Sequence, residues 1–174
     1  MQIADSDTHA REDFLIEQNW SAYSAEEHSV WQLLFERRMA QLRTVGSRAY
    51  LDGAEAIGLA PDTVPDLRSI NARLGPRTGW AAVPVSGFIP ASDFFQFLAE
   101  RRFPTTVTVR SRDRMDYVPE PDIFHDVFGH VPLHSIGIFA DFLERFGRVA
   151  AAAETPEQVE RMARLFWFTV EFGL

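Results

Sequence analysis

No cysteine occurs in the 174 residues, which excludes disulfides and thiolate metal sites. No apolar run approaches the ~18 residues that a membrane span needs. There is no excess of basic residues either: the formal net charge of −8 disfavours a phosphate-backbone partner. The N-terminus, MQIADSDTHARED, has the features of neither a signal peptide nor an Arg-rich transit peptide. These absences point to a cytoplasmic protein that engages neither nucleic acid nor membrane. No internal repeat, low-complexity linker or shift in composition divides the chain, so its length fits one domain with a real core.

What is present is an apolar fraction of 46% against 24% charged residues, the balance of a globular protein. Fifteen phenylalanines and four tryptophans supply either a large aromatic core or an aromatic-lined pocket. Ser24 to Glu27 (SAEE) reads as a capping box. The helix behind it carries Trp31, Leu34, Phe35 and Leu42 on one face and ends near Gly46. An Ala-rich helix follows over about 47–58. A short one runs through DLRSINARL until Gly75-Pro76 stops it. WAAVPVSGF reads as a short strand or extended loop, ASDFFQFLAERRF as an amphipathic helix, and TTVTVR (105–110) as the best strand. A helix is expected at about 136–153. A last one starts at TPEQ, with Pro156 at its first position, and runs almost to the chain end.

The stretch VPEPDIFHDVFGHVPLH sets His125 and His130 five residues apart beside Asp126. On a regular helix that spacing is about 140°, so the two would not share a face. Gly129 and Pro132 suggest that the helix ends near His130, which lets that side chain turn back. Two imidazoles so placed suit Zn, Fe, Cu or Ni, or they are surface or core residues with no ligand. A third ligand must be nitrogen or oxygen. Nearby acids are Glu120, Asp122, Asp126, Asp141 and Glu144. Glu171 stands out as the only charge in LFWFTVEFGL. A carboxylate there is solvent-facing, paired with Arg164 on the face it shares with Trp167 and Phe168, or a ligand. With the histidines it would complete a two-His, one-carboxylate set, the facial arrangement of non-haem Fe(II).

PEPDIFHDVFGHVPL and WFTVEFGL together resemble the two signature stretches of the aromatic amino acid hydroxylases, iron- and pterin-dependent monooxygenases. The bacterial phenylalanine 4-hydroxylase branch is the most similar, from FLIEQNW to the last residue. The resemblance implies that family's catalytic-domain fold, mainly α with a few short β-strands (α+β), over 13–174 behind a flexible tail at 1–12. It implies Fe(II) on His125, His130 and Glu171, a tetrahydropterin cofactor and O2 as co-substrate. L-phenylalanine would become L-tyrosine, in phenylalanine catabolism, on a monomer. Arg110 matches the arginine that takes the substrate carboxylate, and Asp122 the acid that steadies it. Pro121, Trp167 and Phe172 match the substrate pocket. Gly87, Phe88, Ile89, Ala91 and Phe94 match the pterin-binding segment, with Phe94 stacking on the ring. Asp126 stands where many members carry a glutamate that reaches the pterin through water. Val118 and Pro104 replace a threonine and a histidine of animal members.

Family catalytic domains continue past the glutamate that Glu171 matches, so the resemblance implies a fold incomplete at the C-terminus, with weaker iron binding and low turnover. Two other readings compete with the hydroxylase. One is a non-catalytic helical remnant that binds an amino acid or a partner chain. The other is a zinc hydrolase built on the same three ligands.

Overall fold

The computed structural model describes residues 13–172; the tail expected at residues 1–12 lies outside them. Helix α1 (Ala25–Val45) starts from the expected capping box: Ser24 Oγ accepts from Glu27 N, and the Glu27 carboxylate takes the Ser24 N–H at 2.8 Å. Its inner face buries Val30, Trp31, Leu34, Phe35 and Met39. Helix α2 (Arg48–Ala56) follows directly.

Helix α3 (Leu67–Thr78) corrects one expectation, because it runs through Pro76 instead of stopping at Gly75-Pro76. A proline in the last turn sacrifices a single amide bond close to where the helix would end anyway. The stop is Gly79, at φ +75°, whose N–H returns to Gly75 O at 2.8 Å.

Strand β1 (Ala81–Val85), helix α4 (Ala91–Ala99) and strand β2 (Arg102–Thr106) form a β-α-β unit. The strands are parallel, with Ala81 opposite Arg102 and Val85 opposite Thr106. The other edge of β1 is met by the chain near Leu15, where Ile16 N donates to Pro84 O at 3.0 Å. The strand expected at 105–110 is displaced towards the N-terminus and shares only Thr105 and Thr106 with β2. Alternation marked an extended segment, but β1 has nothing left to pair beyond Val85. The following backbone groups are taken by others. Val107 O accepts from the Tyr23 hydroxyl at 2.5 Å, Thr108 O from Ile123 N at 2.9 Å, and Arg110 N donates to Asp122 at 3.0 Å.

After a loop and a π-helical turn (Phe124–Phe128) come the short α5 (Val131–His134) and α6 (Gly137–Ala151). Helix α7 (Pro156–Phe166) opens with a second capping box, Thr155 with Gln158, and passes into a second π-helical turn (Trp167–Glu171). The fold is thus mainly helical with one two-stranded sheet. No described helix is long and apolar enough to cross a membrane.

The aromatic residues largely make the core. On one side Trp31 meets Phe124 and Phe35 meets Phe128, each edge-on at 5.4 Å, and Phe124 stacks on Phe128 at 4.6 Å. On the other, Trp80, Phe95, Phe97, Leu98 and Leu143 are fully buried where α4 packs on α6. The first π turn is therefore anchored in the core through its phenylalanines, which fixes where its histidines stand.

Candidate metal centre

The turn begins at Asp122, which accepts the His125 N–H at 3.0 Å and so caps the helical segment. Its winding then departs from the regular helix. Hydrogen bonds that close over five residues loosen the spiral, so residues five apart lie about one turn above each other. His125 and His130 consequently come to one side, with ring centroids 5.1 Å apart. The 140° separation of a regular helix does not apply here.

The second π turn does the same for Glu171. Phe172 N bonds to Trp167 O, five residues back, at 3.0 Å. This rotates Glu171 away from the face it would share with Arg164 on a regular helix. Arg164 pairs with Glu160 instead. Glu171 Oε1 lies 2.8 Å from His125 Nε2, and Oε2 lies 3.2 Å from His130 Nε2. One donor atom from each of the three residues falls within 4.8 Å of the others, the one such cluster among the described residues.

The charges support a cation position. Asp126, then Glu171, push the His125 imidazole up to about 10, which favours its protonated, charged form beside the two carboxylates. The bonds from His125 and His130 hold Glu171 well below the usual carboxylate range despite partial burial. A divalent ion would take the place of that proton. An N2O donor set fits Fe(II), among other ions, with positions left open.

His125 is oriented from behind. Its Nδ1 lies 3.0 Å from Asp126 Oδ1, which leaves Nε2 to face Glu171. Asp126 is buried and accepts on its other oxygen from Thr106 N and Oγ1, both at 2.7 Å. Such carboxylate–histidine pairs fix ring orientation and raise ligand basicity. Asp126 thus has both oxygens occupied inside the protein. Nothing in the sequence marked Thr106 as part of this site, because its role depends on where β2 ends.

Arg110 lies in the same cleft, about 620 Å³ in volume, as His125, His130 and Glu171. Asp122 grips it through Nε at 2.9 Å and Nη2 at 2.7 Å, and Nη1 reaches Met115 O at 3.2 Å. Burial alone would raise the Asp122 carboxyl; the bonds from Arg110 and His125 N outweigh it and bring it below its ordinary value. Each terminal nitrogen makes one of these bonds and carries a second N–H.

The other expected residues lie further out. Pro121 lines a neighbouring hollow with Arg110, Asp122 and Val118. Trp167 and Phe172 face each other at 5.6 Å but are 59% and 58% exposed and do not line the cleft. Gly87, Phe88, Ile89 and Ala91 lie between β1 and α4 or open α4; Phe88 is exposed and Ile89 buried. Phe94 is linked to the centre only through rings: it is edge-on to Phe103 at 6.1 Å, and Phe103 lies 5.3 Å from the His130 ring.

Fold and site define a mostly helical protein in which two histidines and one carboxylate, grouped closely enough to hold a metal ion, line a cleft with Arg110. The sequence matches the family model for biopterin-dependent aromatic amino acid hydroxylases over residues 8–174. The chain belongs to that family. It is 43% identical over 164 residues to the phenylalanine-4-hydroxylase of Mesorhizobium japonicum, covering 94% of this chain and 59% of that protein. It is 42% identical over 167 residues to the phenylalanine-4-hydroxylase of Chromobacterium violaceum, covering 96% and 56%. The crystal structure of Chromobacterium violaceum phenylalanine hydroxylase with bound iron(III) and 7,8-dihydrobiopterin superposes with a TM-score of 0.88 at 38% identity, covering 98% of this chain and 65% of that one. The chain thus spans less than two thirds of these relatives' length.

Proposed function

We propose that this chain carries the centre of an Fe(II)- and tetrahydropterin-dependent phenylalanine 4-monooxygenase, which converts L-phenylalanine to L-tyrosine. The observation that carries the reading is the convergence of His125, His130 and Glu171 in the cleft that also holds Arg110. The phenylalanine-4-hydroxylase relatives support the substrate, although the rat tyrosine 3-monooxygenase is also 34% identical over 156 residues. Bound iron, with reduced pterin and O2, would supply the oxidation: one oxygen atom to the ring, and two pterin electrons to reduce the other to the level of water.

This chain's residues supply position and charge. His125, His130 and Glu171 would hold the ion at the cleft. Asp126, held by Thr106, keeps the His125 ring turned. The Arg110 guanidinium takes the amino-acid carboxylate, while Asp122 fixes it and ties it to the His125 backbone. Substrate and metal are thereby set from one short segment, which limits misplacement of the ring. Gly87, Phe88, Ile89, Ala91 and Phe94 would border the pterin, Pro121, Trp167 and Phe172 the substrate, and the catalytic unit would act as a cytoplasmic monomer.

The test is incubation with Fe(II), tetrahydrobiopterin, O2 and L-phenylalanine, followed by chromatography for tyrosine. Tyrosine from the wild-type chain and none from Glu171→Ala is the expected result. Equal product from both would remove Glu171 from the site.

A further inference from the structure

His130 leaves the first π turn with φ −113° and ψ −46°, just before α5. Two residues further on, Pro132 has no N–H, so the Phe128 carbonyl lacks its normal helical donor. The Tyr50 hydroxyl donates to it instead, at 2.6 Å, from a buried side chain on α2. On the other side of His130, the same helix touches Pro132. A Cβ on Gly53 would stand 2.2 Å from Pro132 O, an approach only glycine allows. Ser135 Oγ donates to that oxygen at 2.7 Å. Helix α2 therefore holds the chain two residues before and two residues after His130.

We propose that Tyr50 is a positioning residue for the metal ligand His130, acting through its hydrogen bond to the Phe128 carbonyl. The proposal rests on the metal reading above. Burial pushes the Tyr50 phenol up, so it remains an O–H donor throughout the working range. Without the hydroxyl, a buried carbonyl beside the proline loses its donor and the segment carrying His130 loses one of its two ties to α2. Contacts behind a ligand typically carry about 10–100-fold in metal affinity.

The test is calorimetric titration of the metal-free chain with Co(II), comparing wild type, Tyr50→Phe and Trp20→Phe. Trp20 also donates to a backbone carbonyl, that of Val64 at 2.7 Å, but outside the cleft. The expected result is Co(II) affinity about tenfold weaker in Tyr50→Phe and unchanged in Trp20→Phe. A merely structural tyrosine would lower the thermal midpoint and leave the affinity of the folded protein as it was, which would overturn the proposal. Hydrogen–deuterium exchange gives a metal-free reading: amides of residues 128–134 should exchange faster in Tyr50→Phe, and unchanged protection there also overturns it. Wild-type protein that takes up no Co(II) would sink the metal reading, and the proposal with it. Wild-type binding matched by Tyr50→Phe would sink the proposal alone.

Discussion

The two π turns bring the candidate ligands together from opposite mechanical situations. In the first, Phe124 and Phe128 are buried, Val127 is fully enclosed, and the preceding Ile123 is too. In the second no residue is buried, and Trp167 and Phe168 are more than half exposed. His125 therefore stands on a core-anchored turn, and His130 two residues beyond its end. Glu171 is held by its own contacts with the histidines, with Val170 packing on the core edge. The difference teaches that fold stability and site assembly are separable here. Phe128→Ala should remove stacking with Phe124 and the edge contact with Phe35, at about 3–5 kcal/mol. Urea unfolding measures it; a loss below about 1 kcal/mol would mean that the first turn is not anchored as described.

Glu171→Ala should reverse that pattern. It removes a proposed ligand, so Co(II) affinity should fall by more than the ~100-fold upper range of supporting contacts, while urea stability falls far less than in Phe128→Ala. Asp126→Asn comes next in size. An amide oxygen cannot serve both His125 and Thr106 as the carboxylate does, and about tenfold weaker Co(II) binding is expected. Undiminished binding would show that His125 needs no orientation from behind.

How much of this was legible in the sequence follows the range of the interaction. Both capping boxes, Ser24/Glu27 and Thr155/Gln158, were readable because each joins residues three apart. The displaced β2 was not, because alternation in TTVTVR reports extended backbone and not which neighbour it finds. The histidine pair and Glu171 could be picked out by type and setting. Their convergence could not be deduced from a helical period of 3.6, which separates the histidines and groups Glu171 with Arg164. Local π winding, sustained by the buried phenylalanines of the first turn, brings them together. Thr106 and Tyr50 left no trace, since each acts across a distance in sequence that no local pattern spans.

The raised imidazole of His125 provides a pH test of the same assembly. Its folded-state value of about 10 lies above the ordinary 6.5, so proton binding favours the metal-free fold. That contribution is complete below about 6.5 and is lost as pH rises through about 10. A metal must displace this proton, so its affinity runs the other way and should rise about tenfold per pH unit within that window. Co(II) titrations at two pH values, in buffers of different ionisation enthalpy, should show release of about one proton. A flat profile would mean that His125 is already neutral.

The smallest effect should come from Trp167, and it tests the comparison from the other end. The side chain is large, and at a core position its truncation would cost about 3–5 kcal/mol. On the second turn it is 59% exposed and its ring neighbour is Phe172, itself exposed. Trp167→Ala should therefore change urea stability by less than about 0.5 kcal/mol. Co(II) affinity should stay at the wild-type level, because the ligand contacts of Glu171 do not run through the indole. If the substitution instead cost stability on the scale of Phe128→Ala, the second turn would be part of the core, and Glu171 would be as firmly mounted as the histidines. If it weakened phenylalanine binding alone, the indole would border the substrate from a position that carries no part of the fold.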